Sequence, residues 1–278
     1  EGRTVASCTG TYPLSQPQNG WAEQDPELWW QAARETIRGV LDESGVSPSE
    51  VKGVGLSGQM HGLVMLDGER RVLRPSILWC DGRTGRECEE ITDLVGRERL
   101  IQLTANPALP GFTAGKILWV RRHEPELFAR CRHILLPKDY LRYKLTGEFA
   151  TEVSDASGMN LLDVAHRCWS REVLDKLDID PALLGRMHES TDLTGTVTAA
   201  AAAETGLAPS GVVFAHADQV SIDPGGRVHT FCAAVPGAWT VMSCTLAAGL
   251  SLQWFRNQFC AEEQRQAEAE GVDPYDVM

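Results

Sequence analysis

The chain has 278 residues, 43% of them hydrophobic and 23% charged, with a formal net charge of -12. That length supports one large domain or two smaller ones, and the composition is that of a globular protein. The acidic balance excludes a nucleic-acid binder, which needs a basic footprint. An anionic substrate has to be met by local cations or a metal.

In chain order, residues 1–14 read as extended, with Tyr12-Pro13 as a turn or edge. Asp25-Pro26 announces a helix, because Asp caps and Pro suits the first turn. Trp29, Ala33, Ile37, Val40 and Leu41 recur at helical spacing until Ser44-Gly45. Ser47-Pro-Ser-Glu50 has capping-box form. A short apolar strand follows over Val51 to Leu56. Its carboxyl end carries Gly55-Leu-Ser-Gly-Gln-Met-His-Gly62.

Leu63 to Leu66 reads as a second strand, Asp67-Gly68 as a hairpin signal, and Val72 to Leu78 as the return. Trp79-Cys-Asp-Gly-Arg83 leads into a helix that includes Cys88 to Val95, and 104–111 is a loop with two prolines. Helices are expected over Ala114 to Ala129 and Lys138 to Leu145, the latter between Pro137 and Gly147. Thr151 to Met159 reads as a polar loop. Trp169 to Leu177, Pro181 to Met187 and the Ala-rich Val197 to Glu204 read as helical, with Gly206 as the last stop. Val212-Val-Phe-Ala215 is a buried-type strand ending in His216-Ala-Asp-Gln219. Strands alternating with helices predict an α/β fold with a largely parallel sheet.

Eight cysteines are scattered with no C-x-x-C pair, which argues against zinc. A chain this long builds a core without disulfides, so reduced thiols in a cytoplasm are expected. No signal-like leader and no long apolar stretch is read from the sequence. The expectation is a soluble cytoplasmic protein that engages no membrane.

Two polar strand ends carry the chemistry. Ligands of open α/β sheets bind outside the carboxyl ends of the strands. Gln59 and His61 supply directional hydrogen bonds suited to a polyhydroxylated molecule, and Met60 supplies apolar surface. Equally, His61 fits a histidine satisfied by backbone. Asp218 is the best candidate for a general base that takes a proton from a substrate hydroxyl; the alternative is a helix cap. Asp81 and Arg83 fit either a ligand contact or a structural ion pair. Lys116 and Lys138, near helix starts, read by default as solvated or structural. No P-loop, dinucleotide fingerprint or metal-ligand spacing is found.

Several segments together resemble the FGGY family of carbohydrate kinases, and within it the members that phosphorylate xylulose. They are Trp21-Ala-Glu-Gln-Asp-Pro-Glu-Leu-Trp-Trp30, the 55–62 loop, Leu78-Trp-Cys-Asp-Gly-Arg83 and Gly111-Phe-Thr-Ala-Gly-Lys-Ile-Leu-Trp-Val-Arg-Arg-His123. Leu135-Leu-Pro-Lys-Asp-Tyr-Leu-Arg-Tyr-Lys-Leu-Thr-Gly147 and Thr151-Glu-Val-Ser-Asp-Ala-Ser-Gly158 complete the set. The resemblance implies two actin-like, ribonuclease H-like domains. Residues 1–220 would be a nearly complete sugar-binding domain lacking its first phosphate loop, and 221–278 a partial ATP-binding domain. It implies ATP and Mg2+ as cofactors, D-xylulose as substrate and a homodimer. Met60 and His61 match the family's substrate-binding pair, Asp218 its proton acceptor, and Gln219 a position facing the sugar; Gln59 and Asp81 flank that site. The family pattern also departs here. A D-x-G-T-S loop before Glu1 is not found, Val220–Ser221 skips a family segment, and the pattern stops before the adenosine-binding glycines. His216 stands where xylulose kinases usually have Gly and rhamnulose kinases carry His.

Overall fold

The computed structural model describes residues 4–208, 211–213, 229–232, 239–242 and 266. Asp218, Gln219, His216 and the expected boundary at Val220/Ser221 lie outside the described residues. The chain divides into two compact units, Glu1–Ser243 and Cys244–Met278, and every element described below belongs to the first.

The first helix forms as its sequence dictates. After strand β1 (Glu23–Gln24), Asp25 caps α1 (Pro26–Ser44) by accepting from Glu27 N at 3.0 Å, and Gly45 closes it at φ 64°. The capping box at Ser47 is present, with Ser47 N donating to Glu50 Oε2 at 3.0 Å over the single turn Pro48–Glu50. Strand β2 (Gly53–Gly55) then leads into the 55–62 loop.

Strand β3 (Val64–Leu66) is the axis of the fold. It pairs antiparallel with β5 (His133–Leu135), while Leu63 bridges Ile77 beside β4 (Ser76–Ile77), which pairs antiparallel with β1. Successive strand side chains point to opposite faces, and here both faces are buried. Leu63 and Met65 enter one core with α2 (Gly85–Val95), α3 (Arg97–Thr104) and α4 (Thr113–His123). Val64 and Leu66 enter a second core with Trp29, Trp30, Tyr140 and Leu145. The result is helices on both sides of a thin sheet. Each fully buried Leu or Val contributes roughly 1.5–3 kcal/mol.

Several expectations are corrected. Ala114 to Ala129 is two helices, α4 and α5 (Pro125–Arg130), because Pro125 has no N–H for a continuing ladder and starts the second helix instead. The helix α3 escaped the sequence reading. Residues 151–159 are a buried β6 (Ala150–Glu152), a turn of helix α7 (Val153–Ala156) and a 3-10 turn at Ser157–Met159. Glu152 and Ser157 in this stretch are matched by partners within the protein, Glu152 by Ser190 and the Ser154 and Asp155 N–H groups and Ser157 by Ser154 O and Cys232 N. Beyond α6 (Pro137–Thr146), the hairpin β7 (Leu162–Asp163) and β8 (Cys168–Trp169) precedes α8 (Arg171–Leu177). Pro181 to Met187 forms a 3-10 turn and then β9 (Arg186–His188), parallel to β6, because pairing with β6 overrides its local helical preference.

The Ala-rich helix α9 (Ala199–Thr205) ends at Gly206, φ 80°. After it, β10 (Gly211–Val213) pairs parallel with β2, and β11 (His229–Cys232) pairs antiparallel with β12 (Trp239–Met242). Among the described residues the sheet is therefore not largely parallel: two strand pairs are parallel and four antiparallel. Short connections such as β7 to β8 allow antiparallel pairing, whereas parallel pairing needs a long crossover. No described helix is long and apolar enough to cross a membrane.

Candidate sugar site

Strand β2, which leads into the 55–62 loop, pairs in parallel with β10. Gly53 lies opposite Gly211, Val54 opposite Val212 and Gly55 opposite Val213, all running the same way. The chain therefore leaves both strands at the same edge. From β2 it enters the Gln59-Met60-His61 loop; from Val213 it runs on toward Asp218 and Gln219.

Four supports shape the loop. Gly62, buried, lies so close to α6 that a Cβ there would fall 2.5 Å from Pro137 Cγ. Its N–H donates to Met60 O at 2.9 Å, which closes a tight turn around His61. His61 itself sits at φ 68°, a left-handed conformation rare for residues other than glycine, Asn and Asp. Its ring Nδ1 lies 2.7 Å from the carbonyl oxygen of Gly158. A carbonyl only accepts, so Nδ1 carries the proton, and in the neutral ring Nε2 is the acceptor. The ring stands edge-on to Phe112 at 4.7 Å between centroids. Gly158 has no room for a side chain: a Cβ would run into the His61 ring and come within 3.0 Å of Met60 Cε. Met60 and His61 thus rest together on the 157–159 turn.

Gln59 faces the other way. Its Nε2 donates to Gln24 Oε1 at 3.2 Å, and the same oxygen accepts from Trp29 Nε1 at 3.0 Å. An open groove of about 310 Å³ runs past Trp29, Ser57, Gly58, Gln59 and Lys138. It takes in Gln59 but neither Met60 nor His61.

Asp81 is buried and fully engaged. It accepts from Ala22 N at 2.6 Å, from Arg83 N at 3.0 Å and from the Arg83 guanidinium at 2.9 and 2.7 Å. Arg83 lies 3.6 Å from the centroid of the Trp21 ring and pairs with Glu23 at 2.7 Å. Of the two readings of Asp81, this geometry is that of the structural pair.

Two buried lysines flank the loop. Lys138 is matched by three carboxylates, Asp139 at 2.9 Å and Glu152 and Asp155 at 3.3 Å each. Burial works against its charge, yet these neighbours outweigh burial and raise its pKa. Burial also raises Glu152, but Lys138 and hydrogen bonds from Ser190, Asp155 N and Ser154 N bring it below the ordinary value. Asp155 is the odd member: burial and the carboxylates of Glu152 and Asp139 push it up to about 7, against the pull of Lys138. Gly58 leaves room for this pillar, since a Cβ on it would approach Lys138 Cβ to 3.0 Å.

Lys116 has no such company. Its Nζ donates to the carbonyl oxygens of His61 at 2.8 Å and Gly111 at 2.6 Å, and burial brings its pKa down to about 7. Sequence reading passed over Thr113, Phe112 and Gly158 and left Lys116 and Lys138 at their default. The signal was there in part: Thr113 and Lys116 are spaced i and i+3, which places both on one face at the start of a helix. Among the described residues no cluster of His, Cys, Asp or Glu is placed to hold a metal ion.

The chain is similar in sequence and in fold to known proteins. The xylulose kinase of Escherichia coli is 39% identical over 91% of this chain. A crystal structure of a xyloylose kinase from Brucella ovis is 34% identical and superposes over 95% of the chain with a TM-score of 0.77. The gluconate kinase of Lactobacillus acidophilus, 22% identical with a TM-score of 0.82 over 92% of the chain, shares the fold. In each case the chain spans a little under three-fifths of the relative, 58%, 58% and 57% respectively. Residues 1–222 match the model of the N-terminal domain of the FGGY family of carbohydrate kinases. By that match, which takes in the sugar loop, its supports and both strands of the parallel pair, the chain belongs to the FGGY family of carbohydrate kinases.

Proposed function

We propose that the protein phosphorylates D-xylulose with ATP, giving D-xylulose 5-phosphate and ADP. The observation that carries this reading is the parallel pairing of β2 with β10. The loop bearing Gln59, Met60 and His61 follows one of these strands, and Asp218 and Gln219 follow the other in sequence, which supports reading them as one site. The similarity to xylulose kinases supports the choice of sugar.

In this reading His61 Nε2 accepts from a sugar hydroxyl, Gln219 adds directional hydrogen bonds and Met60 covers an apolar face, while Gln59, turned toward Gln24, acts at one remove by bracing the loop. Asp81 acts at one remove, by holding Arg83 and the Trp21–Ala22 backbone. Asp218 accepts the proton of the 5-hydroxyl as that oxygen bonds to the γ-phosphorus and the bond to ADP breaks. Positioning and charge stabilisation dominate such transfers. ATP and Mg2+ enter through family membership. The described residues offer no phosphate loop or metal cluster. The same reading makes the enzyme cytoplasmic and homodimeric.

Asp218→Asn in the full-length protein tests the base. Xylulose binding by calorimetry should persist while ADP release falls by about 10²–10⁴-fold. Near-normal turnover removes Asp218 from the chemistry. A second acceptor within the family is favoured by His216, which the rhamnulose kinases share. A panel of ketoses in the same assay separates the two.

A further inference from the structure

A buried ammonium touches the 55–62 loop and, among the described residues, no carboxylate. Lys116 is fully buried. Its ordinary fate would be an ion pair, because an isolated buried charge is costly. Instead its contacts are two backbone carbonyls, one of them His61 O at 2.8 Å. Thr113 Oγ1 donates to the same oxygen at 3.0 Å. Both donors come from the first turn of α4, a helix buried on all sides from Thr113 to Val120 and so held rigidly.

That carbonyl belongs to the one residue of the loop in a strained conformation. A left-handed non-glycine residue costs about 1–3 kcal/mol and persists only where surrounding structure over-determines it. Two donors on the carbonyl and one acceptor on the ring, the oxygen of Gly158, are that structure. Relaxing His61 to negative φ would turn its carbonyl away from both donors.

We infer that Lys116, with Thr113, is a positioning residue of the sugar site. It grips the His61 carbonyl and so fixes the direction in which the imidazole meets the sugar. This rests on the reading of the 59–61 loop as the sugar half of a kinase site. It also makes the grip sensitive to pH. Lys116 faces Asp81, Cys80 and Arg83 from the segment after β4 and Cys88 from α2, yet burial dominates and brings it down to about 7. As pH rises through that value the ammonium becomes an amine, which donates more weakly.

The test uses the full-length protein with Lys116→Met, Thr113→Val and His61→Ala, reading KM for D-xylulose, kcat and Tm. Lys116→Met should raise KM about tenfold, the size expected when one buried hydrogen bond to a charged donor is lost, and lower kcat by less. Its Tm should change little, because relief of the buried charge offsets the hydrogen bonds lost at the His61 and Gly111 carbonyls. A purely structural lysine would show the reverse, a lower Tm with KM unmoved. The rise in wild-type KM between about pH 6 and about pH 8 should be absent from Lys116→Met; an equal slope in both overturns the inference. If His61→Ala raises KM while Lys116→Met and Thr113→Val do not, the grip is refuted and the sugar site stands. If His61→Ala changes KM for no ketose, the sugar site itself is refuted. Should Lys116→Met fail to fold, Thr113→Val decides: an unchanged KM there overturns the inference.

Discussion

At the scale of single residues, His61 shows how one position serves two directions. Its ring nitrogen is fixed by Gly158 O, its carbonyl by Thr113 and Lys116, and its backbone is held where few side chains go. The cheapest way to disturb this is from behind. Gly158→Ala places a methyl against the His61 ring, and the ring must turn out of its pocket. The expected result is a KM for xylulose raised about tenfold or more, with Tm lowered by the cost of overpacking, about 1–3 kcal/mol. Steady-state kinetics beside a melting curve checks it, and an unchanged KM would mean that the ring direction does not matter. Part of this site was legible beforehand. Gln59, Met60 and His61 stood out because polar and glycine residues follow an apolar run. Gly158 did not, because a glycine kept empty for a distant ring looks like any turn glycine in a polar stretch. Lys116 did not either, because its i, i+3 spacing from Thr113 puts both on one helix face without showing what that face touches.

At the scale of elements, local signals worked where the chain itself supplies the boundary. Asp25-Pro26 and Gly45 bound α1, and Pro137 and Gly147 bound α6, because caps and φ preferences act within a few residues. They failed where burial decides. The stretch 151–159 is rich in Ser, Thr, Asp and Glu, yet it lies buried because Lys138 and Ser190 satisfy Glu152, and Cys232 N donates to Ser157 Oγ at 2.9 Å. Those partners are remote in the chain, so no window of sequence contains them. The junction between the loop and α6 gives an element-scale prediction. Gly62→Ala would press a methyl against Pro137, and either the loop or the start of α6 must shift. A loss of about 1–3 kcal/mol in urea unfolding is expected. A loss of a few tenths would show that α6 docks more loosely than its contacts suggest.

At the scale of the whole molecule, stability should depend on the carboxylate cluster under the loop. Asp155 is held at about 7 in the folded state, above its value of about 3.9 in an unfolded chain. A raised folded value means that its contribution is fully present below about pH 4 and is lost as pH rises through about 7. Asp155→Asn, which cannot ionise, should therefore melt higher than wild type at about pH 8 and show a flatter stability profile from about pH 5 upward. Thermal melts across that range check it; an unchanged profile would place the titration elsewhere. The fold class was legible because family segments run through the chain, but the balance of parallel and antiparallel pairs was not, since pairing partners are chosen by packing. The parallel pair β2 and β10 has a consequence for how the protein forms. Strand β2 ends at Gly55 and β10 begins at Gly211, so α2 to α9 and β3 to β9 must be made before the two can meet. Contacts so distant along the chain close late and slowly. During synthesis the 55–62 loop emerges long before β10. A nascent chain released short of β10 thus carries β2 without its parallel partner, and leaves an unpaired edge exposed to aggregation.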